Sequence, residues 1–434
     1  MNARASAGIQ RFAVLAVSAA MAASMWFYVQ RVLIPYEKAD AASHLRPRGN
    51  LSDLYPRWLG ARELLLHHRN PYGDDVTREI QIGYYGRALD AANASDPKDQ
   101  QGFAYPVYVV FPLAPLILFP FTSAQLFFYG LLIAVTAASV ALWLEILPWR
   151  LCATSIASCI LLVLGCFPAV QGFKLQQFSL LVAALLALSA AFAARGRLAM
   201  SGVLLALATV KPQLAWPGCA WLLFWAVSDW RKRRRLVVAF GSAMAVLLTA
   251  SELVLPGWWR TFVGAVANYH RYAEAESVLA EMLPWAHAGD IVAAASVLLC
   301  AWALWRWRRV NTAAVFGLDA ALVMSLAVLI VPKSAPYNQV LLVPAVLLMA
   351  RDRKLFLAGS RAVRMLFVVS VFAVAWQWMA SLGLSAAAML GAKSWALNHW
   401  KVPLLATFAV PVLVFALMLI AVTAHELPEP SEIR

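Results

Sequence analysis

Apolar runs close to twenty residues long recur along almost the whole chain, and short polar turns separate them. About twenty apolar residues are what an α-helix needs to cross the hydrocarbon core of a bilayer. The pattern therefore predicts an all-α polytopic membrane protein with about twelve membrane helices. The expected helices cover residues 12–34, 122–146, 151–169, 178–194, 199–210, 214–228, 236–255, 290–307, 314–331, 338–350, 362–381 and 402–423.

The turns between the apolar runs carry clusters of arginine and lysine at residues 195–197, 231–235, 306–309 and 351–354. Basic turns of membrane proteins stay in the cytoplasm, according to the positive-inside rule. Placing all four clusters there puts both termini in the cytoplasm and leaves residues 36–121 on the outer side of the membrane.

A polar loop over residues 36–121 is the largest interruption of the apolar pattern. Residues 52–66 predict a helix whose apolar face, around Trp58, is suited to lie on the membrane surface. A second helix is expected over residues 76–92, followed by a polar turn over residues 93–101. Because long ordered loops are usually functional, we expect this loop to contribute to a binding or catalytic site.

The end of this loop, residues 105–121, is apolar but contains four prolines. Counting it as a membrane span would move the basic clusters at 195–197 and 231–235 to the outer side. We therefore expect a juxtamembrane or re-entrant element that packs against protein. Residues 1–434 are predicted to form one integral membrane domain, whose polar tail over residues 424–434 is disordered in the cytoplasm.

Composition agrees with a membrane protein, because 62% of the residues are hydrophobic and only 13% are charged. Soluble domains carry roughly a quarter charged residues. The net charge of +14 sits mostly in the short turns, so it orients the chain in the membrane and nucleic-acid binding is not expected. The five cysteines show no metal-ligand spacing, and we expect neither a metal nor a cofactor. The oligomeric state stays open.

Two charged residues are candidates for chemistry on the outer side. Asp53 stands at the start of the first loop helix, where it could be an N-cap for backbone N–H groups or a catalytic carboxylate. Lys211 precedes Pro212, which breaks the apolar pattern near the middle of residues 197–231. It could be a lysine that reaches toward water from the membrane or an anion-binding group at a helix break. Asp319 lies deeper in an apolar run, and the sequence pattern assigns it no role.

Several short motifs follow one another along the chain. They are Asp53, Asn70-Pro71-Tyr72, Tyr105-Pro106, Gln176-Gln177, Gly202, Lys211-Pro212 and a late outer turn from Pro332 to Asn338. In this order and on this predicted side of the membrane, they resemble glycosyltransferase family 87. The resemblance covers roughly residues 1–350 and implies a GT-C-type membrane fold with outer juxtamembrane helices.

This resemblance implies an enzyme that transfers one hexose, with mannose expected, from a polyprenyl-phosphate donor to a lipid- or glycan-linked acceptor on the outer face. Transfer occurs with inversion, and Asp53 is the general base. The leaving phosphate needs cations nearby, and the candidates are Lys211 and Lys333. The candidates for substrate binding are Tyr72, Gln176, Gln177, His270, Tyr337 and Asn338. The expected location is the cytoplasmic (inner) membrane of a bacterium, with the lipid bilayer, the donor and the acceptor as partners.

Two other functions stay open from the residues. A transporter or flippase of lipid-linked sugars would also be polytopic, but such proteins commonly contain internal repeats, and none is visible in this sequence. A polymerase or ligase of surface polysaccharide shares the topology and the donor chemistry, so sequence separates it poorly from a transferase.

Overall fold

The computed structural model describes residues 3–45, 47, 52–90, 92–93, 95–273, 276–283, 285–310, 312–332 and 334–424. Every regular element in these ranges is helical, which confirms the predicted all-α class. The α-helices are α1 (Ala3–Tyr28), α2 (Ile34–Ser43), α3 (Leu54–His67), α4 (Asp74–Tyr85), α5 (Val110–Leu113), α6 (Phe121–Ile146), α7 (Ala153–Leu164), α8 (Phe167–Lys174), α9 (Phe178–Ala194), α10 (Leu198–Ala208), α11 (Pro212–Ser228), α12 (Trp230–Val254), α13 (Trp258–Ala273), α14 (Val278–Met282), α15 (Ala288–Trp307), α16 (Ala313–Ile330), α17 (Val343–Arg351), α18 (Arg353–Ala358), α19 (Arg361–Met389), α20 (Lys393–Asn398) and α21 (Ala409–Ala424). A π-helix covers Val29–Leu33, and 3₁₀-helices cover Val107–Val109, Pro336–Leu342 and Val402–Leu404.

In the described part of the chain, seven helical segments are long and apolar enough to cross a membrane, which confirms a polytopic membrane protein. They are Gly8–Ser43, Phe121–Ile146, Trp230–Val254, Ala288–Trp307, Ala313–Ile330, Arg361–Met389 and Lys393–Thr423. Helices α7 and α8, bent by 58° relative to each other, make an eighth if they form one span. Shorter helices cover the other predicted spans, so the total of about twelve stays a prediction.

The first membrane helix is longer than predicted. Instead of ending near residue 34, it continues through the π-helical turn into α2 and reaches Ser43. Pro35 lies in the first turn of α2 and has no N–H to donate, and the π-helical turn accommodates this gap in the bonding pattern. On α2, Glu37 accepts a hydrogen bond from Lys174 Nζ at 2.6 Å, which ties the extension to α8.

Two short helices flank Lys211, as the broken apolar pattern predicts. Helix α10 has 11 residues and α11 has 17. They extend about 16 and 26 Å along their axes, less than the roughly 30 Å of the hydrocarbon core. Pro212 opens α11, because a proline needs no N–H partner in the first turn of a helix. The break therefore places Lys211 at the N-terminus of α11.

The first loop helix, α3, packs inside the protein instead of lying on the membrane surface. Its buried side chains include Leu54, Trp58 and Leu64, and Trp58 Nε1 donates to the carbonyl of Leu116 at 3.1 Å. Leu116 belongs to the proline-rich stretch, which forms a 3₁₀ turn, the four-residue α5 and further turns before α6 begins. This stretch contains no helix long enough to span a bilayer, and it covers α3 from one side.

The second loop helix, α4, ends at Tyr85 and not near residue 92 as predicted. Gly86 adopts a φ of +82°, and its N–H bonds the carbonyl of Ile82 at 2.8 Å. This left-handed cap is a common end of an α-helix, because glycine reaches positive φ without steric cost. The chain after Gly86 is then free to return toward α3, and residues 99–106 reach the cavity described next.

Candidate active site

A cavity of about 690 Å³ lies between the loop helices, α13 and the N-terminus of α11. Its walls come from the start of α3, residues 99–106, the α8–α9 turn, the break before α11, one face of α13 and the turn after α16. This volume is typical of sites for small molecules, which measure roughly 300–1,000 Å³. Five of the predicted site residues line it: Asp53, Gln177, Lys211, Tyr337 and Asn338.

Asp53 occupies the N-cap position of α3, but its carboxylate does not cap the helix. All of α3 is described, and none of its amides donates to this side chain. The backbone of Asp53 is helical, with φ −71° and ψ −7°, whereas a capping residue usually has extended backbone angles. Its N–H instead donates to the carbonyl of Leu175 at 2.8 Å, and its Oδ2 accepts a hydrogen bond from Gln177 Nε2. The carboxylate is therefore held at the cavity wall.

Lys211 points its ammonium into the protein and does not extend it toward water, because its side chain is only 7% exposed. Its Nζ donates to Gln177 Oε1 at 3.2 Å and to Ser179 Oγ at 2.7 Å. It also lies 5.0 Å from the centre of the Tyr337 ring, within the range of a cation–π contact. Burying an ammonium is costly unless polar groups compensate it. These contacts supply that compensation at the edge of the cavity.

The side chains of Asp53 and Lys211 are connected through one amide. Gln177 donates to the carboxylate with its Nε2 and accepts from the ammonium with its Oε1. Beyond the lysine, Ser179 Oγ donates to Asn338 Oδ1 at 2.8 Å, which continues the polar chain to the 3₁₀-helix Pro336–Leu342. A proton acceptor and a buried cation therefore line the same cavity in a fixed relation.

Arg57 is a cavity residue that the sequence interpretation missed. It lies one helical turn after Asp53, where residues four apart share a face. Its Nη1 donates to the backbone carbonyl of Asp53 at 2.9 Å, and its guanidinium lies 4.4 Å from the centre of the Tyr105 ring. Burial acts to lower the pKa of Arg57, but nearby groups, including the Asp53 carboxylate, outweigh burial and the pKa is raised. The i, i+4 spacing from Asp53 was the signal available in the sequence.

Two of the tyrosines that line the cavity, Tyr105 and Tyr337, remain neutral in this setting. Burial raises the pKa of Tyr105 to about 12, although the neighbouring Arg57 guanidinium opposes the shift. Burial also raises the pKa of Tyr337, and the nearby Asp53 carboxylate raises it further. Both phenols therefore act as hydrogen-bonding groups and not as bases in the neutral pH range.

Tyr72 and Gln176 are not among the described residues that line the cavity; they hold residues that do. The Tyr72 hydroxyl donates to the carbonyl of Tyr105 at 2.6 Å. Gln176 Nε2 donates to the carbonyl of Phe173 at 2.7 Å, and its Oε1 accepts from Gln125 Nε2 at 2.9 Å. These bonds hold the α8–α9 turn next to Gln177 and the loop segment at Tyr105 in place. The side chain of His270 and the whole of Lys333 lie outside the described residues.

The segment between α12 and α15 contains two described helices, α13 and α14. Phe262, Val263, Val266 and Ala267 on α13 form an apolar wall of the cavity. The cavity also has polar lining residues, among them Asp99 and Gln101 from the chain between α4 and α5. One cavity thus combines a wall suited to a lipid with polar groups suited to a sugar.

The comparison with known families agrees with these features. The family model of glycosyltransferase family 87 matches residues 103–332, just over half of the chain, and the chain therefore belongs to that family. It is a membrane glycosyltransferase, which confirms the predicted enzyme class and implies a lipid-linked substrate. Asp53 and Tyr72 precede the matched residues, so their roles depend on the geometry of the cavity. Searches among curated proteins and among solved structures found no match.

Proposed function

We propose that the protein transfers a hexose, with mannose the expected sugar, from a polyprenyl-phosphate donor to a lipid- or glycan-linked acceptor on the outer face of a bacterial cytoplasmic membrane. The observation that carries this proposal is the pairing of Asp53 with the buried ammonium of Lys211 through Gln177 in one cavity. A transfer from a phosphate donor needs a base for the acceptor and a cation for the leaving group.

The proposed chemistry is a single displacement. Asp53 accepts the proton of the acceptor hydroxyl as its oxygen forms a bond to the anomeric carbon of the sugar. The bond between that carbon and the phosphate oxygen breaks, and polyprenyl phosphate leaves with the electron pair. One carboxylate is sufficient because the phosphate is a good leaving group and needs no proton. A single displacement inverts the configuration at the anomeric carbon, as in inverting glycosidases that use one base on the attacking group.

Lys211 stabilises the charge that grows on the leaving phosphate. Lys211 is the N-cap residue of α11, and the helix dipole at this end also favours an anion. Lys333, which lies outside the described residues, is proposed as a second phosphate-binding residue because the resemblance implies it. No metal or cofactor is required by this scheme.

Gln177, Tyr337 and Asn338 are proposed to hydrogen-bond the transferred sugar, because their polar groups line the cavity beside Lys211. His270 on α13 is kept as a further candidate for substrate binding. Tyr72 and Gln176 are proposed to act indirectly by holding Tyr105 and Gln177 in place. The topology that goes with this function places both termini in the cytoplasm and the loop between α2 and α6 outside.

The test uses the full-length protein in membranes that lack other sugar transferases. Radiolabelled polyprenyl-phosphate mannose is supplied with an extract of lipid-linked glycans, and the product is analysed for its anomeric configuration. We expect labelled product with inverted configuration, and no product from a nucleotide-activated mannose. Transfer from the nucleotide donor alone, or retention of configuration, would contradict the proposal.

A further inference from the structure

A second cavity lies further along α11 and α16 from the cavity at Asp53 and Lys211, which we call the catalytic cavity. It has a volume of about 300 Å³ and is a groove between α11, α15 and α16. Its walls are formed by aromatic and aliphatic side chains, with Trp216, Trp221 and Phe224 from α11, Trp305 from α15 and Leu326 from α16. We call it the tryptophan groove. Nothing in the reaction at Asp53 and Lys211 uses it.

The tryptophan groove follows the catalytic cavity along two helices, α11 and α16. Gln213 at the start of α11 lines the catalytic cavity, and Trp216 and Phe224 on the same helix line the groove. At 1.5 Å per residue, the groove begins about 5 Å from Gln213 and ends about 17 Å from it. Helix α16 repeats this order, since Leu326 lines the groove and Val331, just after the helix, lines the catalytic cavity.

The tryptophan groove is open at the surface of the protein. Trp216 and Trp305 are 46% and 57% exposed, whereas Trp221 and Cys300 at its floor are only 2% exposed. An open apolar groove on a membrane protein is accessible from the lipid, so a chain can enter it sideways. Exposed tryptophans at its rim give flat surfaces that suit the double bonds and methyl branches of an isoprenoid.

We propose that the tryptophan groove binds the first isoprene units of the donor's polyprenyl tail while the phosphate lies at Lys211. This inference rests on the proposed function and adds the place where the donor lipid is held. The groove is at the small end of ligand cavities, roughly 300–1,000 Å³, so it holds only the tail nearest the phosphate and the remainder stays in the bilayer. The apolar wall formed by α13 then remains available to bind the lipid part of the acceptor.

The test is photo-crosslinking with a polyprenyl phosphate that carries a diazirine in its phosphate-proximal isoprene units and no sugar. The full-length protein in nanodiscs is irradiated, and labelled peptides are identified by mass spectrometry. We expect labels on α11 and α15. Ala220→Trp and Ala301→Trp fill the groove from its two walls and should each reduce this labelling at least tenfold. Leu298→Trp, on the lipid-exposed side of α15, should leave it unchanged.

Kinetics separate this inference from the proposed function. Ala301→Trp should raise the KM for the long-chain donor about tenfold, equivalent to about 1.4 kcal/mol, and leave turnover of a short-chain, water-soluble donor unchanged. Labels on α13 in place of α11, or a raised KM for the lipid acceptor alone, would overturn the groove assignment and leave the transferase proposal standing. Specific labelling of the groove without sugar transfer from any polyprenyl-phosphate donor would support the groove and contradict the transferase proposal.

Discussion

Replacing Lys211 by methionine tests how the leaving phosphate is stabilised. The substitution removes the ammonium and keeps an unbranched side chain of similar length. In the protein this ammonium donates to Gln177 Oε1 and Ser179 Oγ, and it lies over the ring of Tyr337. Lys211 is only 7% exposed. Water therefore cannot take the place of the ammonium beside the leaving phosphate unless the cavity rearranges.

The expected loss is kinetic and much larger than any loss of stability. A preorganised group that stabilises charge in the transition state contributes about 10²–10³ in kcat, or roughly 2.7–4 kcal/mol. Two hydrogen bonds from a charged donor contribute roughly 3–6 kcal/mol to the folded state. The desolvation of a buried ammonium costs several kcal/mol and largely cancels that contribution. The methionine variant should therefore fold with a melting temperature close to that of the wild type.

The assay measures initial rates of sugar transfer against donor concentration at a saturating acceptor concentration. We expect kcat of Lys211→Met to fall by about 10²–10³, and Lys211→Arg, which keeps the charge, to recover most of the loss. The melting temperature in the same membranes reports on folding. A kcat close to the wild-type value in a well-folded Lys211→Met protein would refute the role in phosphate stabilisation and reduce Lys211 to a structural lysine.

Three further predictions concern the cavity and the loop between α2 and α6. Gln177→Leu removes the amide between Asp53 and Lys211, so kcat should fall at least about tenfold with little change in melting temperature; an unchanged rate would contradict a role for this link. Tyr72→Phe removes the bond to the Tyr105 carbonyl and should destabilise the protein by about 1 kcal/mol; a stability equal to the wild type would show that this bond contributes nothing. In a cysteine-free background, Asp90→Cys should react with an impermeant maleimide added outside intact cells, and protection there would overturn the proposed topology.

The apolar pattern predicted the helices well, because a membrane segment is defined by length and hydropathy alone. It also located the break at Lys211-Pro212, where proline removes a backbone donor. The grouping of Asp53, Gln177 and Lys211 was indicated only by the resemblance. These residues are far apart in the chain, and no periodicity places them near each other.

The errors came from features that only tertiary contacts determine. The sequence of α3 predicts a membrane-surface helix, but the proline-rich stretch packs against α3 and Trp58 is buried there. The early end of α4 depends on the positive φ of Gly86. Glycine tolerates a positive φ, but the surrounding sequence does not require Gly86 to adopt one. Tyr72 and Gln176 are predicted substrate ligands, and their polar groups also bond neighbouring backbone and side-chain atoms; their substrate role stays a prediction. Sequence alone does not show which partner a polar side chain finds.

The most direct test of the central claim is the rate of transfer catalysed by Asp53→Asn. The amide keeps the size of the side chain but cannot accept the proton of the acceptor hydroxyl. General base catalysis contributes about 10²–10⁴ to the rate, so kcat should fall by that factor while the KM for the donor changes little. Asp74→Asn, an exposed acid of the same loop, should retain wild-type activity. A kcat of Asp53→Asn equal to that of Asp74→Asn would contradict the assignment of Asp53 as the base.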